Sequence, residues 1–176
     1  MKRRYILWGI GIIGIVLLCI VAILNNFRGN LEGTISVRYE DEYIDPSEIS
    51  ITCDNIDDEE GELFPVQMSE TESELKYSVS EIYDCGRYYV RVTIPGSCIK
   101  EVELQDKDIQ YVMGVFVHHE QLKKNKTHTE VEIKKEGNEY KAYFESNHTF
   151  PNGNKEESSC VMDLSKSCLV EVGFGP

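Results

Sequence analysis

Residues 5–24 form a run of twenty positions without one charged side chain. At 1.5 Å rise per residue a helix of that length reaches about 30 Å, the thickness of a bilayer's hydrocarbon core. The run predicts a transmembrane helix, and everything after it must then fold as a domain tethered to a membrane. Lys2, Arg3 and Arg4 precede the run and Arg28 comes after it. That asymmetry predicts a single-pass cell-membrane protein with residues 1–4 in the cytoplasm, a short linker at residues 25–30, and the remainder on the extracytoplasmic side. Tyr5 and Trp8 sit where aromatic rings favour the interface. A cleaved signal peptide would have a shorter apolar core and small residues at its cleavage site, whereas Val21-Ala22-Ile23-Leu24 has no Ala-x-Ala pattern. Leu17 and Leu18 before Cys19 also lack the small residue a lipoprotein requires. Gly9, Gly11 and Gly14 spell G-x-G-x-x-G, but inside an apolar run that motif opens no nucleotide-binding βαβ unit.

Beyond residue 30 the chain is strongly acidic. Removing the first 30 residues takes away four basic and no acidic side chains, leaving 14 basic against 31 acidic and a net charge of −17. Such a surface repels phosphate backbones, which excludes nucleic acid as a partner, and it disfavours adhesion to anionic headgroups. The roughly 146 residues suffice for one ordinary core.

Short alternating runs recur about every ten residues with turn residues between them, the pattern of an antiparallel β-sandwich or barrel. Ile35, Val37 and Tyr39 form one run, Ile49, Ile51 and Cys53 a second, and Phe64, Val66 and Met68 a third. Leu75, Tyr77 and Val79 come next, and Tyr88, Val90, Val92 and Ile94 make the clearest strand, closed by Pro95-Gly96. Further strands are expected at residues 98–104, 109–117, 129–135, 139–145, 161–164 and 169–174. The expectation is an all-β extracytoplasmic domain, with a sandwich at residues 31–120. Residues 121–176 would add C-terminal hairpins, either in the same domain or as an appendage, with the Lys- and Asn-rich residues 121–128 as the boundary loop.

Gly86-Arg87-Tyr88-Tyr89-Val90-Arg91-Val92-Thr93-Ile94-Pro95-Gly96, with Leu75-Lys76-Tyr77-Ser78-Val79 before it and Val102-Glu103-Leu104 after it, resembles the prealbumin-like sandwiches of bacterial surfaces. The Cna-B and carboxypeptidase-regulatory-like modules are the best known of these. The resemblance covers residues 32–117 and implies a non-enzymatic spacer or binding module. Many Cna-B modules carry a Lys-Asn isopeptide. Here Arg38 stands where that lysine is sought and residues 109–117 contain no asparagine, so the cross-link is not carried over.

Constellations with chemical potential are few. His118, His119, Glu120 and His128 flank one loop with ligand types that zinc accepts, but their spacing matches no zinc motif. Asp54, Asp57, Asp58, Glu59 and Glu60 crowd one connection, yet the alternation of an EF-hand fails at Ile56 and Gly61 falls eighth. The expectation is therefore no metal and no other cofactor. No Gly-x-Ser-x-Gly elbow appears, and no enzyme is expected. Asn125 and Asn147 head glycosylation sequons.

Five cysteines, Cys53, Cys85, Cys98, Cys160 and Cys168, lie after the apolar run, where disulfides can persist. Alternating strand directions bring the end of the Cys53 strand beside the chain at Cys85 and carry Cys98 to the opposite end. They predict Cys53 with Cys85, and Cys160 with either Cys168 or Cys98, one thiol remaining; the alternative is that all stay reduced as small hydrophobes. Function can be expected only by class. The first expectation is a membrane-anchored, non-catalytic module that binds a protein or another envelope component close to the membrane. The alternative is a structural or accessory subunit of a membrane assembly, with an enzyme a distant third.

Overall fold

The structure, a computed structural model, describes residues 15–17, 19, 29–55, 63–82, 86–101, 103–117 and 125–175. Among them are twelve strands: β1 (Gly29–Tyr39), β2 (Glu42–Tyr43), β3 (Ser50–Asn55), β4 (Leu63–Phe64), β5 (Val66–Glu70), β6 (Leu75–Ile82), β7 (Gly86–Pro95), β8 (Asp108–Val117), β9 (Asn125–Glu136), β10 (Glu139–Thr149), β11 (Lys155–Asp163) and β12 (Leu169–Phe174). They form two sheets. One runs β11-β10-β9-β1-β6-β5 with β2 attached to β1, and the other runs β12-β8-β7-β3-β4. The all-β, two-sheet architecture expected from the alternation is present.

The alternation explains why the sheets face each other. In β7, Tyr88, Val90, Val92 and Ile94 are at most 1% exposed, and each of the aliphatic three contributes roughly 1.5–3 kcal/mol by leaving water. From β8, Ile109, Tyr111, Met113, Val115 and Val117 join them, and the opposing sheet supplies Ile35, Val37, Leu75, Val79, Val131, Ile133, Ala142 and Phe144. The rings of Tyr111 and Phe144, one from each sheet, stack with centroids 4.8 Å apart. Pro65 marks a change of sheet. Phe64 pairs with Cys53 in the five-stranded sheet, whereas Val66 pairs with Val79 in the seven-stranded one. A residue without an N–H is well placed where the ladder must be left.

Two pairings are parallel, β1 with β9 and β8 with β12, in a sandwich expected to be antiparallel. Both bring C-terminal strands into the sheets. β9, β10 and β11 extend the seven-stranded sheet from β1, and β12 is the edge of the other.

Three boundaries differ from expectation. Gly29 and Asn30, expected as linker, already belong to β1. Residues 125–128, expected as a boundary loop, begin β9, because Asn125, Thr127 and Thr129 point inward and are buried. Of residues 98–104, expected as a strand, those described instead make a corner over one end of the sandwich: a 3₁₀ turn at Gly96–Ile99, then Lys100 in the left-handed region at φ 58°. Ile99 and Leu104 plug the core there. The Glu101 carboxylate accepts hydrogen bonds from Tyr39 at 2.9 Å and Tyr140 at 2.6 Å, both in the opposite sheet. Those bonds hold the Glu101 carboxyl below the usual carboxylate range.

Of the expected membrane span, Ile15, Val16, Leu17 and Cys19 are described, and all four are helical and exposed. No helix among the described residues is long and apolar enough to cross a membrane. The rest of the span, residues 1–4 and residues 25–28 lie outside the described residues.

Candidate functional site

The outward face of the seven-stranded sheet carries two adjacent rows of polar side chains, and the register builds both. Asn147 of β10, His128 of β9, Thr34 of β1, Lys76 of β6 and Ser69 of β5 lie side by side. The neighbouring row is Thr149, Lys126, Glu32, Ser78 and Gln67. Side chains two residues apart on a strand are roughly 7 Å apart, so the rows leave a channel across five strands. It encloses about 550 Å³.

Within it, the hydroxyl of Thr34 lies 2.6 Å from Nδ1 of His128, whose Nε2 lies 3.2 Å from the Glu130 carboxylate. The order hydroxyl, imidazole, carboxylate is that of a hydrolytic triad with the two ring nitrogens exchanged, since in the Ser-His-Asp triad Nε2 faces the hydroxyl and Nδ1 the carboxylate. Catalysis would also need donors aimed at a developing oxyanion, and Thr34 sits mid-strand with hydrogen-bonded strands on both sides. Lys126 and Glu32 approach to 4.0 Å with both side chains largely exposed, a separation worth little in water. Lys76 has no carboxylate within ion-pair distance among the described residues.

The floor of the channel depends on Gly33. It is opposite Tyr77 on one side and Thr127 on the other, and a Cβ there would come within 2.4 Å of the Tyr77 ring. The missing side chain lets Tyr77 lie across β1 and hydrogen-bond with Thr127 on β9. Behind the floor, Thr127 Oγ1 is 2.8 Å from Nδ1 of His148, and Nε2 of His148 is 3.3 Å from Oδ1 of Asn125. His148 is fully buried between Phe150 and Phe174, and burial pushes its pKa down to about 4. A second buried set joins the sheets: Tyr111 lies 2.6 Å from Ser146, which lies 2.9 Å from Thr129. Gly33→Ala is expected to push the Tyr77 ring off Thr127 and to destabilise the protein by roughly 2–3 kcal/mol. The matching check is that Tyr77→Phe, which loses the bond without the clash, loses less in urea unfolding.

Of the residues singled out from the sequence, His128 is in the channel; His118, His119 and Glu120 lie outside the described residues. Asp54 accepts a hydrogen bond from Arg91 at 3.0 Å, while Asp57, Asp58, Glu59 and Glu60 lie outside. Among the described residues no three His, Cys, Asp or Glu side chains converge as metal ligands. Cys53, Cys98, Cys160 and Cys168 are free thiols, so the pairings of Cys160 with Cys168 or Cys98 are not formed, and Cys85 lies outside the described residues. The register explains part of this. Asn55 is opposite Tyr88 and Ser50 opposite Thr93, so Cys98, past the end of β7, falls at the start of β3, where its thiol lies 3.9 Å from the Glu48 carboxylate. Asn125 is buried and Asn147 exposed, so the two sequons differ in access.

His148, Thr127, Ser146 and the channel-lining Thr34, Lys76 and Lys126 are not singled out by sequence motifs. The signal is present all the same: continuing the alternation Ala142, Phe144 by two steps reaches Ser146 and His148, and continuing Ile133, Val131 backwards reaches Thr129 and Thr127. Comparison of the chain with protein-family profiles, curated protein sequences and solved structures finds no match in any of the three.

Proposed function

We propose that the chain is a single-pass, membrane-anchored, non-catalytic module whose extracytoplasmic sandwich binds a protein or another envelope component in the channel across its seven-stranded sheet. The observation that carries this reading is the channel itself: ten side chains from five strands, held in register, lining an open space of about 550 Å³. The mid-strand setting of Thr34, whose flanking strands occupy its backbone groups, favours holding over turnover. The uncharged run of residues 5–24 supports the anchor, and the resemblance to prealbumin-like surface modules points to the same class.

On this reading the binding face works close to its bilayer. Five residue steps separate Leu24 from Gly29, at most about 18 Å of extended chain. The parallel pairing of Leu31 with Asn125 would put the Lys126 row at the membrane-facing end of the sheet.

The test uses full-length protein extracted in mild detergent. Filling the channel with Ser78→Trp is expected to abolish co-isolation of the bound envelope component, while Thr52→Trp, on the outer face of the other sheet, preserves it. Co-isolation that survives Ser78→Trp but is lost when residues 5–24 become polyleucine would overturn the binding reading in favour of an accessory subunit whose span makes the contacts.

A further inference from the structure

We infer that the channel selects an anionic, polyhydroxylated chain, such as an acidic glycan or polyol polymer of the envelope, through Lys76 and Lys126. The inference rests on the binding reading and adds the chemistry of the ligand.

Three observations carry it. The first is charge. Beyond residue 30 the chain has a net charge of −17, yet among the channel-lining residues Lys76, Lys126 and His128 face one carboxylate, Glu32. Lys126 reaches that carboxylate only at 4.0 Å in the open. Of the other acids of this face, Glu157 of β11 stands beside Asn147 at the end of the His128 row, Glu130 and Glu145 lie one position beyond that row, and Glu132, Glu136 and Glu139 lie farther along β9 and β10. The Glu130 carboxylate lies 3.2 Å from His128, and Lys76, two strands and one row away, is roughly 12 Å from it, beyond the Debye length of about 8 Å at about 0.15 M salt.

Shape is the second. The channel crosses five strands spaced about 4.8 Å apart, which gives roughly 19 Å of length. It lies on an open sheet face, which suits several linked units better than a compact small molecule. Lys76 and Lys126 are on strands separated by β1 and in adjacent rows, which puts their Cα atoms roughly 12 Å apart. Two anionic groups separated by a neutral stretch of chain would satisfy both.

The third is hydrogen-bonding type. Each of the three central strands under the channel is paired on both sides, so a peptide would find few main-chain partners of the kind a free sheet edge provides. What faces the ligand is Thr34, Ser69, Ser78, Thr149, Gln67 and Asn147, hydroxyls and amides that both donate and accept. That array suits hydroxyl groups flanking phosphate or carboxylate. A lipid headgroup and a soluble polymer share this chemistry; the length of the channel favours the polymer.

The full-length chain in phosphatidylcholine nanodiscs at about 0.15 M salt is titrated with hexagalacturonate, using maltohexaose as its neutral counterpart. Polyglutamate and water-soluble dihexanoyl phosphatidylglycerol serve as competitors. The expected result is saturable hexagalacturonate binding at least tenfold tighter than maltohexaose. Lys76→Gln and Lys126→Gln should each weaken it roughly fivefold, and Lys166→Gln, a lysine outside the channel, should leave it unchanged. Thermal unfolding of each variant at the parent's temperature excludes misfolding at these exposed positions. Maltohexaose binding as tightly as hexagalacturonate, indifference to both lysine substitutions, or displacement by polyglutamate at equal charge would each overturn the ligand class. So would preference for the soluble lipid. If neither glycan binds while Ser78→Trp still releases an envelope component, the ligand class fails and the binding module stands.

Discussion

Gly96→Ala is expected to cost more than about 4 kcal/mol, a large fraction of the roughly 5–15 kcal/mol that holds a domain of ordinary stability. A Cβ on Gly96 would come 1.7 Å from the carbonyl oxygen of Leu104 and 2.5 Å from that of Lys107. Both obstacles are backbone, so no rotamer change relieves them. The corner is also pinned. The Gly96 N–H donates to the Lys107 carbonyl at 2.7 Å, and Lys107 Nζ donates to the Leu164 carbonyl at 3.0 Å. Glu101 is held by two tyrosines of the opposite sheet. Moving the chain aside would break these bonds and pull Ile99 and Leu104 out of the core. Gly137→Ala supplies the contrast. Gly137 has φ +66° and nothing within 4 Å, so only left-handed strain of about 1 kcal/mol is expected. Urea unfolding of the two variants decides the matter, and similar losses would contradict the backbone clash.

The second large effect is on pH. Among the described residues no ion pair offsets the burial of His148: it sits between Phe150 and Phe174, and its ring nitrogens face Thr127 and Asn125. Glu156, opposite in register, has one carboxylate oxygen engaged by the Gly175 N–H at 3.1 Å. Because the folded pKa is about 4 against about 6.5 when unfolded, the unfolded chain takes up the proton first as pH falls. The stabilisation is complete above about pH 6.5 and is lost progressively down to about pH 4, a swing of about 3 kcal/mol. Asp163, held at about 2 by Lys166 and Ser165, loses its contribution mainly below that window. In urea unfolding from about pH 7 to 4.5, the parent protein is expected to weaken steeply. His148→Gln, with an amide toward Thr127 and Asn125, should start less stable and show a much flatter profile. Parallel profiles would mean that His148 is not the group being charged.

Much of this molecule is legible from its residues in order. Wherever inward positions are apolar, as in Tyr88-Val90-Val92-Ile94, a period of two announces the strand and its buried face, because burial is a local demand on each side chain. The same logic fails where inward positions are polar. Asn125, Thr127, Thr129, Ser146 and His148 are buried because each finds a partner on another strand, and nothing within a few residues of any of them reveals that partner. Alternation of apolar residues therefore marks β9 and β10 as shorter than they are.

The sequence by itself determined the uncharged run at residues 5–24, the acidity of the chain beyond it, and an all-β fold with most of its strands. Tertiary structure alone decided that β1 and β9, 94 residues apart at the contact between Thr34 and His128, lie side by side and parallel. That pairing assembles the channel and brings Tyr77 across Gly33 to Thr127. The physical reason is that sheet register is a long-range property. It is set by which faces and which polar groups can be satisfied together across the sandwich, whereas alternation records only which way each side chain points.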